Sequence, residues 1–379
     1  MVEPEAKPHR ISSLAARLRE RIKREGPIGF RDWMEAALYD PREGYYCRAD
    51  LKRWGRAGDY RTAPERSPLF AATFVRYFAG LYEELGAPRD WAIIEAGAGA
   101  GHFARGVLQT LQRDYPNVFS ATRYIIDEAS DDARQRIRRL LNQFEGHVEF
   151  RRLAELEDEQ RTGIIFANEL LDALPAHRVL MRKGQLAEMC VGTSDNGSFI
   201  WVELEPTTPR LIEHFESAGV QLSEGQLAEV CLDAEDWYTR AAASINRGYL
   251  ITVDYGAEET ELYTAPHRRQ GTLRAFHQHQ FVDDVLAQPG GYDLTTTVNW
   301  TNLKRVGASL GLQSALLLEQ DKFLLQAGLL DELEREMARA VNESERLRMS
   351  TSAREMILPG GMSSSFQVLV MKKATSMAC

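Results

Sequence analysis

Three glycines at alternate positions, Gly97, Gly99 and Gly101, sit inside the stretch IIEAGAGAGHFARGVL, between a short apolar run and a helix-like pattern. A glycine turn from strand to helix lets a ligand approach backbone N–H groups at a helix N-terminus, an arrangement suited to polar and anionic groups. The spacing is GxGxG, not the GxGxxG of dinucleotide binders, and no Lys-Ser/Thr follows as a P-loop requires. Glu95, two residues before the first glycine, would sit badly beside a pyrophosphate. It would sit well beside the cationic amino-acid part of S-adenosylmethionine.

Other acids stand where strands should end. The next apolar run closes on Asp127-Glu128, and a carboxylate there hydrogen-bonds ribose hydroxyls in sheets of this kind. Glu128 is the expected ribose ligand and Asp127 the fallback, while Ser130, Asp131 and Asp132 form a helix-cap cluster beside them. A fourth run enters NELLDALPAHRV, which puts Asn168 and Glu169 at a strand's carboxyl end. An amide and a carboxylate there can hold a nitrogen nucleophile in line with a sulfonium methyl, where positioning matters most. Asp254, at the end of LITVDYG, is a further candidate to line the pocket, although Gly256 also reads as a simple turn. His277 and His279 share a strand face but lack a third ligand, so no metal is expected.

The elements that must position these residues alternate strand and helix from Trp91 onward, which indicates a parallel, doubly wound α/β sheet. Strands are expected at WAIIEAG, RYIIDEAS, HVEFRRL, GIIFANELL and GYLITVDYG, with DKFLLQAGL and SFQVLVMKK closing one edge. Before them lie helices at about residues 11–25, 30–38 and 67–85, interrupted by a long irregular stretch rich in Gly, Pro and aromatics. After the fourth strand, Lys183-Gly184 and Asn196-Gly197 turns mark antiparallel hairpins, followed by helical segments to about Asn246. The expected organisation is an N-terminal helical segment with a substrate-side loop (1–88) and a catalytic domain (89–379). The latter carries an α+β insertion at about 176–247.

Bulk composition excludes several classes. With 379 residues, 44% of them apolar, the chain can bury a substantial core, and its net charge of −9 leaves no basic footprint for nucleic acid. No apolar run reaches the roughly 18 residues that span a bilayer. The four cysteines (Cys47, Cys190, Cys231 and Cys379) are scattered, as suits a reducing compartment. RISSLAARLRERIKREG is arginine-rich and amphipathic, but nearby glutamates argue against a transit peptide, so the expected site is cytoplasmic.

Taken together, GYYCRAD, GRAGDYRTAPERSPLF, IIEAGAGAG, YIIDEAS, FANELLDALPAHRV, LITVDYG, GTLRAFHQHQF and DLTTTVNW resemble the MidA family, in order along nearly the whole chain. That family comprises class I S-adenosylmethionine-dependent methyltransferases and includes a mitochondrial complex I assembly factor that methylates an arginine. The resemblance implies a Rossmann-like fold with a seven-stranded sheet and S-adenosylmethionine as cofactor. By position, Glu95, Gly97, Gly99 and Gly101 would hold the methionine part and Glu128 the ribose. Asn168, Glu169 and the segment 58–65 would border the transfer pocket. His102, Tyr60 and Ala63 depart from the residues usual there. An arginine substrate also makes chemical sense. Guanidinium has a pKa of about 13 or above, so carboxylates must hold it and take up its proton. Asp59, Glu65, Glu169 and Asp172 are the candidates. His102 has two readings, as helix cap or as a residue facing the cofactor. The expected partner is a protein client with a target arginine. The alternatives are a small-molecule acceptor or a non-catalytic assembly factor; an NAD-dependent oxidoreductase is disfavoured by the glycine spacing.

Overall fold

In the computed structural model, which describes residues 13–48, 50–51, 67–157, 159, 161–278, 280–358 and 365–374, the apolar runs assemble into one central sheet. Its principal strands are β1 (Trp91–Ala96), β2 (Thr122–Asp127), β3 (Val148–Phe150), β4 (Arg161–Asn168), β5 (Ile245–Ala257), β6 (Leu312–Glu319) and β7 (Phe366–Lys373). They lie in the order β3-β2-β1-β4-β5-β7-β6. Neighbours from β3 to β5 are parallel, and β7 runs antiparallel to β5 and β6. A two-residue strand, Val298–Asn299, pairs with the end of β5. The mostly parallel, seven-stranded sheet expected from the sequence is therefore present. Chain order reverses between β1 and β4, and open α/β sheets bind ligands in the crevice above such a switch point.

Strand residues alternate between two buried faces, as the two-residue period of a strand dictates. Ile93, Tyr124, Phe166 and Ile251 pack with helices α3 (Pro68–Glu84) and α4 (His102–Asp114), where Phe103, Val107 and Leu111 form the inner stripe. Ile94, Ile165 and Leu250 pack on the other face with Trp237 and Tyr238 of α6 (Leu232–Ser244) and with Trp300 of α7 (Trp300–Ser309). Helix α5 (Asp131–Leu140) connects β2 to β3. Among the described residues no helix is long and apolar enough to cross a membrane.

Helices α1 (Ser13–Glu25) and α2 (Phe30–Tyr39) sit apart from that sheet and share a core with the insertion. Leu14, Leu18, Trp33 and Met34 pack there with Val191, Phe199 and Leu294. Ile28 and Gly29 pair antiparallel with Val191 and Cys190, which adds the N-terminal segment to the insertion's sheet. That sheet contains the two expected hairpins, through strands His177–Arg182, Gln185–Thr193 and Phe199–Leu204.

Two expectations need correction. DKFLLQAGL is not a strand: Gln320–Gln326 is a helix, and the edge strand is the preceding LQSALLLE. The register shifts between Ser314 and Leu316, so the alternation that would have marked this strand is broken at its centre. Phe323, Leu324 and Ala327 of the next segment have helical spacing and bury together. The helical stretch expected before Asn246 also contains a strand, Leu227–Val230, which pairs with residues 177–180.

Candidate active site

The glycine turn leaves β1 in left-handed conformations, with φ of 73° at Gly97, 56° at Gly99 and 78° at Gly101. A Cβ added at Gly97 would lie 3.0 Å from Leu170 Cδ1, and one at Gly101 would lie 3.0 Å from Ile137 Cγ1. The left-handed backbone angle favours glycine at all three positions, and the tight approach to Leu170 or Ile137 adds to this at Gly97 and Gly101. Gly97 N–H donates to Asp127 O at 2.8 Å, and Gly99 N–H donates to Glu128 Oε2 at 2.9 Å. Ser130 N–H donates to the other oxygen, Glu128 Oε1, at 2.9 Å. Glu128 therefore ties the glycine turn to the end of β2, and each oxygen keeps a lone pair for a ligand hydroxyl. Burial raises its pKa. Asp127 is engaged elsewhere, accepting from Leu153 N–H at 3.1 Å and facing Arg152 Nε at 3.2 Å. Ser130 caps α5 by accepting from Ala133 N–H, so capping and ligand-facing roles fall on different residues.

Glu95 is 4% exposed, and its Oε2 accepts from Tyr124 O–H at 2.6 Å. Burial pushes its carboxyl up to about 8, and the nearby Glu128 charge adds to the effect. A cation placed beside it would reverse that shift by favouring the ionised form. His102 opens α4 and lines the same cavity; the cap position itself belongs to Gly101, with no side-chain cap bond. Of the two readings of His102, the structure realises the cavity-facing one. Burial and Arg105 lower its pKa, which favours the neutral imidazole.

At the end of β4 the chain turns through Glu169, a non-glycine residue with φ of 53°. Such a conformation costs on the order of 1–3 kcal/mol and tends to mark functional sites. Asn168 Nδ2 donates to Glu169 Oε1 at 2.9 Å, and Glu169 N–H donates to Val253 O at 2.9 Å. The turn is then clamped by Asp254, whose Oδ2 accepts from Leu171 N–H at 2.9 Å and Asp172 N–H at 3.2 Å. Its Oδ1 accepts from Tyr255 N–H at 2.8 Å. Asp254 is buried under the turn and is not among the cavity-lining residues, so the pocket-lining role considered from the sequence is replaced by a supporting one.

These features open into one cavity of about 840 Å³. Glu95, Gly97, Gly99, Glu128, Asn168 and Glu169 line one part of it, whereas Gly101, expected to hold the cofactor, is not among the lining residues and packs against Ile137. Asp172, Asp293, Tyr39, Tyr46, Tyr255 and Arg274 line another. Arg274–His277 pairs antiparallel with Asp293–Thr295, and alternate residues of the two strands, Arg274, Phe276, Asp293 and Thr295, face the cavity. Tyr46 O–H donates to Asp293 Oδ1 at 2.6 Å, and Tyr39 O–H donates to Ala173 O at 3.1 Å. The cavity thus joins a glycine-and-carboxylate cradle to an acidic end walled by tyrosines.

Asp59 and Glu65 lie outside the described residues, as do Tyr60, Ala63 and His279. His277 is exposed, with Nδ1 3.2 Å from Gly291 O. Among the described residues no cluster of three ligating side chains could hold a metal ion. Asp293, Arg274, Tyr39, Tyr46 and Tyr255 were not singled out from the sequence. All but Tyr39 lie within GYYCRAD, LITVDYG, GTLRAFHQHQF or DLTTTVNW, so the motifs themselves were the available signal.

The cradle fits S-adenosylmethionine: the backbone at Gly97 and Gly99 borders the cavity, and Glu95 and Glu128 offer acceptors for an ammonium and for ribose hydroxyls. Comparison with known proteins agrees. Residues 73–317 match a family described as S-adenosyl-L-methionine-dependent methyltransferases. A protein arginine methyltransferase NDUFAF7 homolog, mitochondrial, from Drosophila melanogaster is 27% identical over 95% of this chain and 84% of its own length. The Homo sapiens protein arginine methyltransferase NDUFAF7, mitochondrial, is 24% identical over 86% of this chain and 75% of its own. Among solved structures, a Burkholderia thailandensis protein crystallised with S-adenosyl-homocysteine superposes with a TM-score of 0.83 at 29% identity. That match covers 96% of this chain and 92% of that one.

Proposed function

The chain belongs to this family of S-adenosylmethionine-dependent methyltransferases, and from that premise we propose that its acceptor is an arginine side-chain nitrogen of a protein client. The observation that carries this reading is the acidic, tyrosine-walled end of the cavity, which opens directly onto the cofactor cradle through Asn168-Glu169. The names of the Drosophila and human relatives support the same acceptor.

The cofactor supplies a methyl group already activated on a sulfonium, so this chain's task is to hold, orient and exclude water. Glu128 holds the ribose hydroxyls. Glu95 compensates the amino-acid ammonium from beneath the glycine turn. Asn168 and Glu169, locked together by their hydrogen bond and by the left-handed turn, align the acceptor nitrogen. Tyr39, Tyr46 and Tyr255 wall the acceptor end, which strengthens the pull of its carboxylates on a cation. Asp59 and Glu65 stay in the proposal as acids of the sequence between α2 and α3. The proposed compartment remains the cytoplasm, although the relatives named above carry the word mitochondrial. Fractionation of cells expressing the tagged chain checks this, and recovery in an organelle fraction overturns it.

The acceptor is tested by incubating the protein with methyl-labelled S-adenosylmethionine in an extract of cells lacking its gene. Label is expected in protein. Label confined to small molecules establishes the rival reading, a tailoring enzyme on the same scaffold.

A further inference from the structure

His102 closes the glycine motif, yet the contacts to ribose and ammonium leave it unused. It departs from the residue usual at its position in the family, so an imidazole there is a feature of this chain. It stands at the first position of α4 and lines the cavity beside Ala98, Gly99 and Ala100. Among the described residues its ring has no hydrogen-bond partner, and the charge that acts on it is Arg105, a like charge one turn along the same helix face. Arg105 in turn has no acid partner among the described residues. Glu95, Asp127, Glu128 and Glu169 line the same cavity, but none of them pairs with His102. Gly101 gives α4 no side-chain cap, so the helix keeps its orphan N–H groups and its positive dipole end beside the imidazole.

The amino-acid part of the cofactor is a zwitterion. Its ammonium and carboxylate hang on one carbon, so a ligand whose ammonium meets Glu95 brings its carboxylate into the same part of the cavity. Three side chains there, Glu95, Glu128 and Glu169, are acids and repel it when ionised. The N–H groups of Gly97 and Gly99 already donate to Asp127 O and Glu128 Oε2, and the Asn168 amide donates to Glu169. Among the described side chains of the cradle, that leaves His102 to meet an anion. A neutral imidazole donates one hydrogen bond, and a protonated one adds a charge to it.

We propose that His102 holds the carboxylate of the cofactor's amino-acid part, opposite the ammonium held by Glu95. The two charges of the zwitterion then meet complementary surroundings: an acid on one side, and an imidazole, a nearby guanidinium and a helix N-terminus on the other. The contact also makes cofactor binding proton-linked in two directions. An ammonium beside Glu95 favours loss of its proton, whereas a carboxylate beside His102 favours gain of one. The inference rests on the cofactor and not on the acceptor, so the fate of the arginine reading leaves it untouched.

Calorimetry on the full-length protein with two ligands isolates the contact: S-adenosyl-homocysteine, and the analogue without its carboxylate, S-adenosyl-3-thiopropylamine. At about pH 6 wild type is expected to bind S-adenosyl-homocysteine roughly tenfold or more tightly than the amine, the worth of a hydrogen bond to a charged group. His102→Ala should lose most of that ratio and leave affinity for the amine within about twofold, which also shows the fold intact. Between about pH 6 and about pH 8 the wild-type ratio should shrink by roughly threefold or more, as the imidazole in the complex loses its proton. Glu95, Asp127, Glu128 and Glu169 act on both ligands through the same ammonium and adenosine, so their titration divides out of the ratio, and Arg105 stays charged throughout. His102→Gln, which keeps a neutral donor, should retain part of the ratio and none of its pH dependence. A His102→Ala protein with the wild-type ratio overturns the subsite, and so does one that weakens both ligands equally.

Discussion

Glu95 holds a carboxyl in a buried position with one donor, Tyr124, and this has a consequence that titration can read. Its pKa rises from 4.5 to about 8 in the cofactor-free fold. Between those values the folded state binds more protons than the unfolded chain, so this group makes stability fall as pH rises, by at most about 1.4 kcal/mol per pH unit. Asp254, raised to about 7, and Asp172, raised well above the usual carboxylate range, act in the same direction. The share of Glu95 in the window from about pH 7 to 8 is therefore read from the difference between wild type and Glu95→Gln. Glu95→Gln should flatten the denaturant-unfolding stability across that window, and an unchanged slope would show that the buried acid is not its source. Saturating S-adenosylmethionine should flatten it in the wild type as well, because the cofactor's cation favours the ionised carboxylate. Glu95, Glu128 and the glycines were legible as candidates because strand-end position and glycine spacing carry chemistry in a short window. Asp293 and Arg274 were not, since their partners lie far away in the chain and a lone acid or arginine has no local period.

The turn after β4 shows how elements position the site. Asn168-Glu169 comes off a buried parallel strand, and Asp254 from the adjacent β5 reaches over to hold Leu171 and Asp172 N–H groups. Removing that acceptor strands buried donors, each costing about 1–3 kcal/mol. Asp254→Ala should therefore destabilise the protein by about 2–4 kcal/mol in urea unfolding, within the range of broken buried networks. A loss under 0.5 kcal/mol would mean the turn holds itself. Gly256 belongs to the same support: a Cβ there would fall 1.7 Å from Trp300 Nε1, so α7 packs directly on the backbone leaving β5. This is why a residue that reads as a plain turn glycine is one of close approach. The parallel strands were legible as continuous apolar runs between helices. The edge strand β6 was not, because its register shift breaks the alternation and its outer face is partly exposed.

Across the whole molecule, the acceptor end is assembled from parts that the chain order keeps apart. Tyr39 and Tyr46 come from the N-terminal segment, Asp172 from the turn after β4, and Arg274 and Asp293 from the small sheet that follows the insertion. Helices α1 and α2, the insertion and that small sheet share one apolar core, which carries the tyrosines to the cavity. Arg31 on α2 grips Asp233 at the start of α6 through two bonds of 3.0 Å and 2.7 Å, fastening this assembly to the sheet's helices. The N-terminal segment is thus a wall of the cavity at its proposed acceptor end. Tyr46→Phe should raise the KM for the acceptor by roughly tenfold, the worth of a hydrogen bond to a charged group, with S-adenosyl-homocysteine affinity unchanged. An equal loss of cofactor affinity would contradict that division of labour. The proposed arrangement of cradle, turn and tyrosine wall serves one outcome, methylation of an arginine nitrogen. Protein labelled in the extract should be hydrolysed to amino acids and the label located among them: recovery in methylarginine is the expected result, and recovery in methyllysine, methyl esters or other residues, with none in arginine, contradicts it.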